Sequence, residues 1–159
     1  MANAHNYRHG PQLFVRPAVD SSTVIELGDL LYLDTDDVKP ASAITWVSDA
    51  AAQAAFADAF LGVACDASAD GERDPINVDI STTSVYEFTC VATTWEIGNT
   101  FAVDGNGSDA LIDQTLEKVS TVTRCVARAV NRATASTTKV LVTFASAYAT
   151  GSANSNAFV

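Results

Sequence analysis

Hydrophobic and polar positions along this chain follow mostly the period of two that marks β-strands. Val24-Ile25-Glu26-Leu27, a Gly28-Asp29 step and Leu30 to Asp34 read as strand, turn or bulge, and strand, closed by the acidic turn Thr35-Asp36-Asp37. Leu61 to Cys65 is a continuous apolar word of the kind that forms a buried strand. Ile76 to Ile80 alternates apolar residues with Asn77 and Asp79, the period of a half-exposed strand. Val85 to Val91 and Lys139 to Ala145 bring the total to about eight to ten short strands. One stretch breaks the pattern. Asp49 to Phe60 is rich in Ala, has Ser48 or Asp49 as cap and carries Phe56 and Phe60 at i, i+4, which predicts the one helix, its apolar stripe packed on a sheet. The expected fold class is mainly β: a small β-sandwich or barrel built from two similar β units, with one short Ala-rich helix at about 49–60 and extended terminal arms.

The two units are visible as words that recur in order. Gly28 to Asp34, Leu61 to Ala67 and Ile76 to Ser81 are matched by Gly98 to Asp104, Val126 to Asn131 and Val140 to Ala145, at offsets of 70, 65 and 64 residues. The organisation expected is an extended N-terminal arm over 1–19, one β domain over 20–146 with halves at about 24–81 and 95–146, and a C-terminal tail over 147–159. The arm holds Arg8 and Arg16 and no acid, whereas residues 20–79 hold thirteen of the nineteen acids.

Charge narrows the function. A formal net charge of −10 argues against a surface that tracks phosphates, because such binding needs clustered Lys and Arg, so no nucleic-acid partner is expected. No apolar run has the length of a membrane span and the first residues lack a signal-peptide pattern, so no membrane partner is expected either and the product is expected to be made and used from the cytoplasm. Cys65, Cys90 and Cys125 are odd in number and lack CxxC spacing, which predicts free thiols rather than a zinc site or disulfide framework. His5 and His9 have i, i+4 spacing, but no further ligand completes a site and Gly10-Pro11 opposes a helix there. Asp34, Asp36 and Asp37, and the run Asp104 to Asp109, read as turns, since both lack the distal acid of a calcium loop. Asp34 and Asp104, paired carboxylates in a hydrolase reading, are explained as equivalent turn ends. Neither catalytic chemistry nor a cofactor is expected, and the chain is not expected to be an enzyme.

What remains are candidates for contact with other molecules. Tyr7, Phe14 and Arg16 lie in the arm, Trp46 and Trp95 in the body and Phe158 in the tail, and aromatic and Arg side chains are the usual interface anchors, while for both tryptophans burial in the core is the rival reading. Arg124, Arg128 and Arg132 share parity if they lie in one strand, either paired across strands with the chain's own acids or forming a row for an acidic neighbour.

The order Gly28-Asp29-x-x-Tyr32, Phe60-Leu61-Gly62-Val63-Ala64 with an acidic loop behind it, Ile76 to Ile80, Val85-Tyr86-Glu87-Phe88, Trp95-Glu96-Ile97-Gly98, Arg128-Ala129-Val130 and Val140-Leu141-Val142 resembles bacteriophage capsid decoration (head cement) proteins of the DUF2190 type, over roughly residues 24–146. Two positions depart from the family pattern, Asn99 in place of Asp and Ala127 in place of Gly. The resemblance implies a non-enzymatic virion protein that binds and reinforces an assembled icosahedral capsid from outside, commonly as a homotrimer, with the major capsid protein and neighbouring copies of itself as partners. The competing expectation is a β-sandwich binding module of a virion tail or fibre that recognises a cell-surface glycan through exposed aromatics in a groove.

Overall fold

A computed structural model describes residues 7–150. Along the chain, β1 (Tyr7–His9) and β2 (Phe14–Val15) precede the hairpin of β3 (Leu30–Asp34) and β4 (Asp37–Pro40). Helix α1 (Asp49–Ala59) runs directly into β5 (Phe60–Ala64), and the short β6 (Val78–Asp79) ends the first half. The second half comprises β7 (Val85–Trp95), the hairpin of β8 (Thr100–Gly105) and β9 (Leu111–Lys118), β10 (Ala127–Ala129), β11 (Ala133–Phe144) and a helical turn, α2 (Ala147–Thr150). The fold is mainly β, a five-stranded barrel plus a second sheet, with one helix of any length.

Both halves use one topology. The first sheet runs β2-β6-β5-β3-β4 and the second β7-β11-β10-β8-β9, with β1 added to the outer edge of β7. Registers match as well. Val15 lies opposite Val78 as Tyr86 lies opposite Val142, Leu31 opposite Gly62 as Phe101 opposite Ala127, and Leu33 opposite Val38 as Val103 opposite Leu116. In the second half a parallel pairing of β7 with β9, at Thr89 with Thr115 and Cys90 with Leu116, closes the barrel. The first half is drawn together at the same place by a single parallel bridge between Ala18 and Asp37, where the Val38 amide donates to the Ala18 carbonyl at 3.0 Å.

The two glycine turns show why the same words recur. Gly28 and Gly98 sit at φ 93° and 85°, a region that side chains other than glycine's enter at a cost. After each, an amide reaches back: Asp29 to the Glu26 carbonyl and Asn99 to the Glu96 carbonyl, both at 3.1 Å. A side-chain oxygen then accepts from the first residue of the turn, Asp29 Oδ2 from the Glu26 amide at 2.8 Å and Asn99 Oδ1 from the Glu96 amide at 3.0 Å. Asn99 serves in the second turn as Asp29 does in the first because the turn uses only an acceptor oxygen. The Gly62 and Ala127 pair differ for a steric reason. A Cβ on Gly62 would lie 2.1 Å from the Asp79 carbonyl oxygen, so the first half needs glycine at a place where the second accommodates alanine.

Helix α1 covers residues 49–59, one short of the expected end, because Phe60 turns extended to begin β5. Ser48 caps it, accepting the Ala51 amide at its side-chain oxygen at 3.3 Å, and Ala52, Gln53 and Phe56 form its buried stripe. Phe56 packs on Tyr32 and Phe60, and Phe60 lies 5.7 Å from Phe144 of the second half, so one aromatic chain runs through both units. A separate, smaller core of Val19, Ile25, Leu31, Val38, Leu61 and Val78 fills the first sheet. Ile76 to Ile80 is a correction to the expected half-exposed strand. Val78, Asp79 and Ile80 are all buried: Val78 and Ile80 belong to the smaller core, β2 pairs alongside β6, and the Asp79 carboxylate meets the Tyr86 hydroxyl of the second half.

Candidate interaction surfaces

The expected arm is extended, and it is built into the body. β1 pairs with β7, β2 pairs with β6, and Val19 is buried. Its anchor is Asp79. Oδ1 of this buried carboxylate accepts from the Leu13 amide at 3.1 Å and the Ser81 amide at 2.9 Å, while Oδ2 accepts from the Tyr86 hydroxyl at 2.7 Å. Gln12 Nε2 donates to the same hydroxyl at 3.1 Å, and the Tyr7 ring meets the Tyr86 ring edge-on at 5.7 Å. Burial, together with the Asp79 hydrogen bond, pushes the Tyr86 phenol well above its usual range, so it stays a donor. Ser81 and Ser84 hydroxyls add hydrogen bonds to the Pro11 carbonyl at 2.6 and 3.0 Å. Outside this anchor, Leu13 and Phe14 stand 57% and 49% exposed, held on a fixed backbone.

The sequence-derived candidates separate. Tyr7 is half-buried on the main core, Phe14 faces solvent, and Arg16 is exposed with its guanidinium donating to the Pro75 carbonyl at 3.1 Å. Trp95 takes the core reading rather than the contact one. It is 2% exposed, packs edge-on against Phe101 at 5.7 Å and donates Nε1 to Asn131 Oδ1 at 3.2 Å. Trp46 is half-buried on the core, with Nε1 bonded to Asp49 Oδ1 at 2.9 Å. Phe158 lies outside the described residues, as does His5.

The arginine row is also corrected. A 3-10 turn at Val122–Arg124 and the three-residue length of β10 put Arg124, Arg128 and Arg132 on different elements. Arg124 donates to Gln53 Oε1 at 3.2 Å, Arg128 points outward from β10, and Arg132 pairs with Glu96 at 3.0 Å. The last pair is a cross-connection with the chain's own acid, on a surface where such pairs contribute little.

A polar seam between the halves went unread in the sequence. Gln53, buried on α1, donates Nε2 to the Val103 carbonyl at 2.8 Å and to Glu117 Oε1. Ser42 donates its amide and hydroxyl to Asp113 at 2.6 and 2.9 Å, and Gln114 donates to Asp29 Oδ1 at 2.8 Å. Only the spacing of Gln53 with Phe56 on the helix stripe hinted at this. Burial pushes the Asp29 carboxyl up to about 6, with the charges of Asp113 and Glu26 adding to it against hydrogen bonds from Gln114 and the Glu26 amide. Asp104 is likewise raised to about 6 by burial, then by Glu117 and Asp49.

These shifts set the sign of a pH effect. A carboxyl whose folded pKa exceeds its unfolded value near 4 binds its proton more tightly in the folded chain, so folding stability rises as pH falls through about 6. Asp29 alone accounts for about 1–2 kcal/mol between pH 7.5 and 5. Thermal melts are expected to show a higher midpoint at pH 5 than at pH 7.5, and a lower one at pH 5 would refute the assignment. Asp29→Asn should shrink the difference.

The surface clefts are shallow and open. One, of about 310 Å³, lies between α1, the 3-10 turn and α2 and is lined by Asp58, Val122, Cys125 and Ala147. Two others flank the Gly98 turn and share Asn99 and Lys118. Among the described residues no group of three His, Cys, Asp or Glu is placed to hold a metal ion, the cysteines are free, and no helix is long and apolar enough to cross a membrane. No protein-family model, curated protein or solved structure matches this chain.

Proposed function

We propose that this chain is a non-enzymatic capsid decoration protein that attaches to the outside of an assembled icosahedral shell and reinforces it, with the major capsid protein as its partner and neighbouring copies, as a trimer, beside it. The observation that carries the reading is the anchored N-terminal segment. It presents Leu13 and Phe14 to solvent from a backbone tied at Asp79, and exposed apolar side chains on a rigid frame bind without the ordering cost of a loose arm. The family resemblance supports it from another side. Its residues are those of the two glycine turns and their partner strands, a scaffold that leaves the exterior to contacts. Many weak attachments to a repeating surface add up, so no deep pocket is required.

The glycan-binding alternative draws less support, since it asks for exposed aromatics lining a groove and Trp95 is buried while Trp46 is hydrogen-bonded and half-buried.

Co-sedimentation tests the proposal. Shells of the phage that encodes this chain, prepared without it, are mixed with purified protein and pelleted. Wild type is expected to saturate the shells at a fixed ratio, and a Leu13→Asp, Phe14→Asp double variant to bind at least about tenfold more weakly, the scale of losing an interface anchor. Wild type left in the supernatant at every concentration would overturn the decoration reading. Equal binding by the variant would remove the arm from it.

A further inference from the structure

We propose that copies of this chain associate head to tail, the acidic tip of the β3–β4 hairpin of one copy seating on the Gly98 turn of the next. Within one chain the equivalent contact already exists. The Gly28 turn of the first half is covered by the β8–β9 hairpin of the second, where Gln114 donates to the Leu27 carbonyl at 3.4 Å and to Asp29 at 2.8 Å, and Leu27 is half-buried. The Gly98 turn has the same backbone hydrogen bonds as the Gly28 turn, yet its apolar residue Ile97, the counterpart of Leu27, is 72% exposed. Meanwhile the hairpin corresponding to β8–β9 in the first half, β3–β4, has Leu33 opposite Val38 where the other has Val103 opposite Leu116. Each chain therefore has one bare turn and one hairpin of matching kind, at whose tip Asp34 pairs with Lys39, Asp37 is bridged to Ala18 and Asp36 is exposed. The turn and the hairpin lie in different halves, so one copy satisfies the next and not itself.

Charge fits the pairing. Residues 20–79 carry thirteen acids against Lys39 and Arg73, while residues 80–150 carry six acids against five bases. The hairpin tip concentrates Asp34, Asp36 and Asp37, and the clefts beside the Gly98 turn are lined by Lys118 and Arg132. Arg132 already pairs with Glu96, but its side chain is 60% exposed, so that pair is a weak competitor for a second carboxylate. An interface between two different patches either closes into a ring or propagates, according to the rotation between copies. The contact rests on the part of the decoration reading that sets copies side by side and says how they meet; it needs no shell, so shell binding by a chain that stays monomeric overturns this contact and leaves attachment standing.

Sedimentation velocity of the full chain tests it, from low micromolar to near-millimolar concentration and at low and high salt. Wild type is expected to associate, less so at high salt. Asp36→Lys on the hairpin, and separately Lys118→Glu with Arg132→Glu on the turn, should each weaken association at least about tenfold, since each brings like charges together. These are exposed positions, and unchanged thermal midpoints confirm folding. An equimolar mixture of the two variants should recover association, because the two altered faces complement each other and the two native faces do as well. A wild type of monomer mass throughout, variants that associate as wild type does, or a mixture that fails to recover would each overturn the proposal.

Discussion

Replacing Trp95 by alanine is expected to destabilise the chain by about 3–5 kcal/mol, the range for removing a large aromatic from a packed core. The side chain is 2% exposed, sits edge-on to Phe101 at 5.7 Å and lies at the end of β7 where Ala133 of β11 is its cross-strand partner. Its loss opens a cavity at the point where the barrel of the second half turns toward Gly98. It also leaves Asn131 Oδ1 without the indole donor at 3.2 Å. Chemical denaturation reads the cost as a lower midpoint at unchanged slope. Trp46→Ala is the comparison. That side chain is half-buried, so its loss should cost clearly less, and an equal cost for the two would contradict the core assignment of Trp95.

Asp79→Ala is expected to cost about 2–4 kcal/mol, because it strips a buried acceptor from three donors at once. The Leu13 amide, the Ser81 amide and the Tyr86 hydroxyl all end on this carboxylate, at 3.1, 2.9 and 2.7 Å. One of those donors belongs to the N-terminal segment. Loss of the carboxylate should therefore loosen residues 10–16 before the rest of the chain, seen as faster proteolytic cleavage there under native conditions. Asp79→Asn keeps an acceptor oxygen for the two amides and should lose about half as much. Cleavage no faster in the alanine variant than in wild type would show that β2 and the Pro11 contacts hold the segment without Asp79. If decoration depends on the fixed presentation of Leu13 and Phe14, the same variant should bind shells more weakly although neither residue has changed.

How much of this was legible in the sequence depends on whether the signal was local. The helix was legible because its Ala run, its Ser48 cap and its Phe56 stripe all lie within a dozen residues. The glycine turns were legible because only a residue tolerant of positive φ suits Gly28 and Gly98. Arg124, Arg128 and Arg132 misled for a local reason too. Their even spacing is a face only in an unbroken strand, and the 3-10 turn at Val122–Arg124 ends that premise.

Asp79 shows the other limit. Alternation placed it on the solvent side of its strand, a sound inference for a sheet with one free face. The N-terminal segment pairs beside that strand and donates the Leu13 amide from sixty-six residues away, and Tyr86 of the second half donates its hydroxyl, so an expected surface acid is a buried acceptor. Gln53, Asp29 and Asp113 belong to the same class, since their partners Val103, Gln114 and Ser42 come from the opposite half of the molecule.

By itself, then, the sequence determined the β class, the single helix, the repeated words and the acidic character, all properties set by neighbours in the chain through period, propensity and charge. Only the tertiary structure decided which residues the outside can touch. It sank Trp95 into the core, tied the N-terminal segment to Asp79 and left Phe14 and Ile97 in solvent. Exposure is fixed by what packs on a face from far along the chain, and one strand's pattern of apolar and polar residues carries no record of that cover.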